Sequence, residues 1–187
     1  QKRGFYKFGT RKTMFDVNSK PFGFVIALFR SRYEKILTEI LKSEPYKKIE
    51  SFVCYFELIG AHSAFGQHEY ETDEFNLVLI DVDMYKKGMV PPEDFIRDFS
   101  SVGIPNVVFR GQLTQSFVDS IENETTYLLN EGVVCKGFIE TRKGVRHPYY
   151  CKIKTKGWMQ RLKNKDITLY TKEIKETETF NEYEQNW

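Results

Sequence analysis

Glu131-Gly132-Val133-Val134-Cys135-Lys136 and, beyond a basic linker, Tyr149-Tyr150-Cys151-Lys152-Ile153-Lys154-Thr155-Lys156 form the stretch on which the reading of this chain turns. Both segments have the β-branched and aromatic content of strands, and the linker Thr141-Arg142-Lys143-Gly144 ends in a glycine suited to a turn. Side chains alternate between the faces of a strand, which predicts that Lys152, Lys154 and Lys156 share one face. Neighbouring lysines there lie ~7 Å apart and repel by roughly 0.6 kcal/mol in water, or about 2 kcal/mol at an effective dielectric of 20. Two readings account for such a row. One is a solvated edge strand whose lysines discourage edge-to-edge pairing, and spacing alone favours it. The other is a surface for a polyanion, with Glu131 on the adjacent strand available to a divalent cation.

The 187 residues predict a single domain, large enough to bury about 70% of its unfolded surface. Hydrophobic residues at 41% and charged residues at 29% suit a soluble globular protein, and 16 Phe with 11 Tyr predict a ring-rich core. A net charge of +2 is not that of a strongly basic nucleic-acid binder, so any basic surface must arise from local arrangement. Cys54, Cys135 and Cys151 sit in apolar runs without metal-ligand spacing, which predicts reduced, buried thiols of a cytoplasmic protein and neither a disulfide frame nor a zinc site. Neither a signal peptide nor a membrane-spanning run is legible.

Along the chain, Gly4 to Arg11 alternates as a strand that ends in the polar segment Thr10-Arg11-Lys12-Thr13. Arg11 reads either as a phosphate or ribose contact or as a surface arginine at a strand end. Ser31 to Glu44 predicts a helix, with Ser31 and Glu34 as a capping box and Tyr33, Ile36, Leu37, Ile40 and Leu41 as its apolar face. Ser51 to Gly60 is apolar at nearly every position, the pattern of a central strand covered on both faces. Glu57 is its one charge, and a carboxylate there requires a salt-bridge partner or a polar ligand. His62 and His68, in the Ala61 to Asp73 loop with Phe65, lack a third ligand and read as ordinary loop histidines. Glu74 to Met84 predicts a second buried strand paired with the first, with Asp81 and Asp83 on one face as a polar strand end or a paired-carboxylate metal site.

Pro91-Pro92-Glu93-Asp94 opens a short helix through Phe99, Val107 to Arg110 predicts a short strand, and Thr114 to Ile121 a further helix. Trp158 to Lys163 reads as helical, and the charged segment from Lys172 to Trp187 as a tail. The resulting class is α+β, antiparallel strands with flanking helices.

The order of these elements resembles the nucleotidyltransferase (adenylation) domain of ATP-dependent polynucleotide ligases, most of all RNA ligases of the phage type. In that family an E-G-hydrophobic-hydrophobic-x-K strand is followed by a K-x-K strand, matched here by Glu131 to Lys136 and by Lys152-Ile153-Lys154. Phe56-Glu57-Leu58-Ile59-Gly60 and Thr10-Arg11 resemble two earlier elements, and the likeness spans Arg11 to Trp158. The two late motifs are specific together and weak singly.

The resemblance implies ATP and Mg²⁺ (or Mn²⁺) as cofactors and RNA as partner, with no membrane. It implies that Lys152 and Lys154 contact the α-phosphate and act in catalysis with Glu131, which helps hold the metal. Glu57 would accept hydrogen bonds from the ribose, and Arg11 would contact the nucleotide or the nicked strand. An aromatic near Phe75 would stack on adenine, although the phase relative to Asp81 points to Leu77 for that slot. The family's nucleophile is the lysine of a K-x-D-G element preceding the Arg11 element, and K-x-D-G does not occur in these residues. The expectation is therefore a domain whose first strands precede Gln1. About 30 residues follow the K-x-K strand, too few for the OB-fold of DNA ligases and capping enzymes. The alternatives are a DNA ligase or capping-type core, and a ligase-like module that binds nucleotide or RNA without catalysis.

Overall fold

The computed structural model describes residues 4–60, 74–127, 129, 131–140, 142 and 146–164. The His62, Phe65 and His68 loop, most of the linker between the two organising strands, and the tail from Lys172 lie outside the described residues. The architecture is α+β, built from small antiparallel sheets and helices, and it divides into two compact units, residues 1–106 and 107–187. No helix among the described residues is long and apolar enough to cross a membrane.

The first unit begins with a two-residue hairpin, β1 (Phe8–Gly9) against β2 (Met14–Phe15). It continues through α1 (Gly23–Arg32) and α2 (Glu34–Lys42) to β3 (Phe52–Ile59), β4 (Asn76–Met84), β5 (Gly88–Met89) and α3 (Pro92–Phe99). Strand order is β3-β4-β5, all antiparallel, so β4 is the central strand. The core forms on one sheet face, where Phe29, Tyr33, Leu37 and Leu41 of the helical segment meet Leu77, Leu79, Val82, Phe95 and Phe99. Each such fully buried side chain contributes about 1.5–3 kcal/mol relative to exposure. The expected abundance of rings is realised here: the Phe5 and Phe8 rings lie 4.9 and 5.5 Å from that of Phe29. Tyr46 is buried and donates its hydroxyl to Asp98 at 2.7 Å. The Arg97 guanidinium, with this hydroxyl, holds the Asp98 carboxyl below its usual range against the opposing effect of burial.

Three expectations need correction. The helix predicted from Ser31 is two helices meeting at Tyr33, and Ser31 is no N-cap: it lies in the last turn of α1, its hydroxyl bonded to the Leu28 carbonyl. The apolar face of α2 is as expected, but the run from Phe22 to Phe29 is apolar on too many sides to announce α1 by period. Among the described residues β3 is an edge strand with one covered face: Val53 and Tyr55 are 52% and 40% exposed, while Phe52, Cys54 and Phe56 pack on the core. Its apolar character on the open face made it read as doubly covered. Val107 to Arg110 is irregular, not a strand; the Phe109 ring stacks on Phe117 at 4.5 Å.

The second unit holds α4 (Gln115–Glu122), β6 (Gly132–Glu140), β7 (Arg146–Lys154) and α5 (Lys156–Asn164). Thr114 caps α4, its hydroxyl accepting from Phe117 N at 3.2 Å. Strands β6 and β7 form the expected antiparallel hairpin, with Gly132 opposite Lys154, Val134 opposite Lys152 and Cys135 opposite Cys151. Helix α4 packs against both strands.

Thr155 decides where β7 stops. Its side chain is fully buried, and its hydroxyl accepts from Trp158 N at 3.0 Å, which ends the strand and begins α5. Thr155→Val keeps the shape and deletes that acceptor. It is expected to cost about 1–2 kcal/mol, read as a lower urea midpoint at unchanged slope. An unchanged midpoint would show that the cap does not set the strand end.

Candidate functional site

Gly132 shapes the start of the hairpin. Its φ of +140° suits glycine, and a Cβ there would stand 2.0 Å from the Ile153 carbonyl oxygen. The absent side chain lets β6 and β7 close where Gly132 faces Lys154. Immediately before it, Glu131 is tied to β7 twice. Its carbonyl accepts from Thr155 N at 3.0 Å, and its carboxylate forms an ion pair with Lys154 Nζ. Regular alternation would send residue 131 to the opposite face from Lys154, so the bend at Gly132 is what brings the two together. The Lys154 and Glu131 side chains are 31% and 44% exposed, so a ligand can reach the pair and its own worth to stability is about 1 kcal/mol or less. Burial draws the Lys154 ammonium below the ordinary lysine value.

Lys152, opposite Val134, is exposed on the same face as Lys154. Lys156 is not on that face. It lies in the first turn of α5, where its ammonium donates to Asn123 Oδ1 at 2.7 Å. The third lysine of the face is Lys136, which sequence reasoning placed in a motif without giving it a role: register puts it opposite Tyr150, on the side of Val134 and Lys152. Counting alternation across both strands of the hairpin would have found it. The face therefore carries Glu131, Lys154, Lys152 and Lys136, with Val134, Tyr150 and Phe138 exposed among them. Its reverse side, with Ile153 buried, is the one α4 covers.

The first unit holds the other two predicted residues, in separate elements. Arg11 sits at the tip of the β1–β2 hairpin, exposed, in a turn built by Thr10, whose hydroxyl accepts from Lys12 N and Thr13 N at 3.2 and 3.1 Å. Glu57 is exposed on the open face of β3, where a buried carboxylate was anticipated, and its side chain makes no ion pair among the described residues. It lines a groove of about 370 Å³ with Ile59, Val78, Ile80, Ile104, Pro105 and Asn106. Apolar walls with a few convergent polar groups are the usual make-up of a small-molecule site. Sequence reasoning missed the wall from Ile104 to Asn106; the signal was the Gly103-Ile104-Pro105 break after α3, where the Gly103 carbonyl accepts from Leu79 N at 3.0 Å.

Asp81 and Asp83 share the open face with Glu57, opposite Tyr55 and Val53. The pairing shifts between Tyr55 and Phe56, so Ile80 is an extra residue and the strand changes phase there. Leu77 consequently points into the core at 4% exposure and cannot stack on a base. Phe75, before the strand, packs its ring 4.9 Å from that of Phe24.

No group of three or more metal-ligating side chains occurs among the described residues. Glu131 alone does not make a metal cage, but one carboxylate fits Mg²⁺, which keeps most of its water and takes further oxygens from phosphates. The lysine face carries the charge to attract an anion such as a phosphate, and the groove beside Glu57 is a shallow, open one. Compared with known proteins, the chain matches no protein-family model and no curated sequence.

Proposed function

We propose that the protein carrying this chain is an ATP-dependent RNA ligase that joins 5′-phosphate and 3′-hydroxyl ends through enzyme–AMP and RNA–adenylate intermediates. The observation that carries this reading is the β6–β7 hairpin, whose register sets Lys152 and Lys154 on one face and whose bend at Gly132 brings Glu131 to Lys154. Glu131 neutralises Lys154 in the face as it stands, and a phosphate chain would add a second anionic partner for Lys152 and Lys154. Lys152 and Lys154 hold the α-phosphate and offset the charge that grows on its oxygens during nucleotidyl transfer. Glu131, paired with Lys154 in this structure, would help hold the metal when nucleotide is bound. Mg²⁺ held there would supply charge neutralisation at the phosphates. Glu57 keeps the role the resemblance gives it, an acceptor for ribose hydroxyls, and its exposure on the open face of β3 leaves it accessible for that. Arg11, exposed at its hairpin tip, takes a phosphate of nucleotide or RNA.

RNA is favoured as the polymer because the face continues past the lysines as exposed rings, Tyr150 at 43% and Phe138 at 42%. Cations interleaved with aromatics suit a flexible single strand, whose bases stack while its phosphates pair.

The test is intact mass of the whole gene product before and after ATP and Mg²⁺. The expected result is a gain of one AMP, lost in Lys152→Ala and Glu131→Ala. The absence of K-x-D-G from these residues favours one competing reading, a module that binds nucleotide or RNA without catalysis. No gain of AMP, with nucleotide binding retained, would establish that module and overturn the ligase.

A further inference from the structure

We propose that Cys135 and Cys151 form a redox-active cross-strand dithiol, a modification site that small-molecule disulfides convert to an intramolecular disulfide. The two residues face each other directly in the β6–β7 register. Directly opposed residues of antiparallel strands have Cα atoms ~4.5 or ~5.5 Å apart, depending on the type of pair, and both values lie within the ~4.4–6.8 Å that a disulfide spans. Opposed residues of paired strands point to the same face, so the two thiols are neighbours, and alternation puts Tyr149 on that face of β7 as well. Both cysteines are half-buried, sheltered on the α4 side yet within reach of a small oxidant. Burial first, then the neighbouring thiol, pushes Cys135 up to about 11, so the thiolate is scarce at neutral pH and exchange there is slow. Cys54 has no such arrangement, for Val82 stands opposite it in the β3–β4 register.

The step is thiol–disulfide exchange. One cysteine thiolate attacks a sulfur of glutathione disulfide and expels glutathione thiolate. The second cysteine thiolate then attacks the cysteine sulfur of that mixed disulfide, forming the protein disulfide and expelling a second glutathione thiolate. The protein loses two protons and two electrons, and one glutathione disulfide becomes two glutathiones. The bond closes the loop of residues 136–150 and pins the register beside Lys136 and Lys152, on the reverse of their face. The proposal does not rest on the ligase reading, and its readouts need neither ATP nor RNA.

The experiment equilibrates the full-length protein with glutathione and glutathione disulfide, quenches with acid, and reads intact mass, peptide linkage and thermal midpoint. The expected result is loss of two hydrogens' mass, a Cys135–Cys151 linked peptide, free Cys54, and a midpoint raised by roughly 5–10 °C that dithiothreitol reverses. Cys151→Ser is expected to stop at a stable mixed disulfide on Cys135, which separates reactivity from any folding defect. A wild-type protein that stays fully reduced, accumulates glutathione adducts, or links through Cys54 would overturn the proposal.

Discussion

Gly132→Ala is expected to lose about 3 kcal/mol or more of stability, the largest effect of a single methyl added at any described glycine of the second unit. The new carbon would stand 2.0 Å from the Ile153 carbonyl oxygen and 2.9 Å from Lys154 Cα, contacts that neither backbone can relieve by rotating a side chain. The φ of +140° adds its own penalty for an L-residue. Relief requires opening the hairpin at this end, which breaks the Thr155 N to Glu131 carbonyl bond and carries Glu131 away from Lys154. Stability and anion binding should therefore fall together. Gly137, on the same strand, is the control: a Cβ there meets nothing within 4 Å. Gly137→Ala should shift the urea midpoint little or raise it slightly. Equal midpoints for the two variants would show that the close approach at Gly132 does not hold the hairpin.

This contrast also explains how much of the hairpin was legible. Its strands and the lysine face follow from alternation and β-branched content, local properties of a sequence. The end of β7 does not, because Thr155 reads as one more strand residue until its hydroxyl is seen to accept from Trp158 N. One capping bond moved Lys156 off the face, and cross-strand register supplied Lys136 in its place. The ion pair of Glu131 with Lys154 was hidden for a related reason: it depends on a bend at Gly132 that reverses the alternation rule just where it would be applied.

The first unit shows the same limit at a larger scale. Leu77, Leu79 and Val82 all point to the core, a spacing that no straight strand allows, and the extra residue at Ile80 reconciles them. A period-two count through that point assigned Leu77 to an open site when it belongs to the interior. Glu57 drew attention as the one charge of β3 because burial was expected there, and that reason fails, since it is exposed. Its groove is completed by Ile104, Pro105 and Asn106, distant in sequence and irregular in backbone, where periodicity carries no signal. Regular elements were readable; the breaks that aim side chains into a site were not.

Glu131→Gln is expected to change nucleotide binding in opposite directions with and without Mg²⁺. Without metal, the wild-type carboxylate competes with phosphate for Lys154 and repels it, so neutralising Glu131 should tighten ATP binding several-fold. With Mg²⁺, the same substitution removes the group that would help hold the metal, and binding and AMP transfer should both weaken. Lys152→Ala is expected to weaken ATP about 10- to 100-fold, the worth of one charge-assisted contact. Lys154→Ala should be more severe, because it also leaves the Glu131 carboxylate facing the phosphate without its cation. The two losses should not add, since the side chains share one ligand and one face. Titration calorimetry at fixed ionic strength, with and without Mg²⁺, measures all four proteins, and fixed salt is essential because exposed charges are screened. If the lysines only guard an open strand edge, neither change at Lys152 or Lys154 alters affinity and Glu131→Gln shows no metal-dependent sign. The sign reversal is the sharper criterion, because a general loss of positive charge or of folding would weaken binding under both conditions.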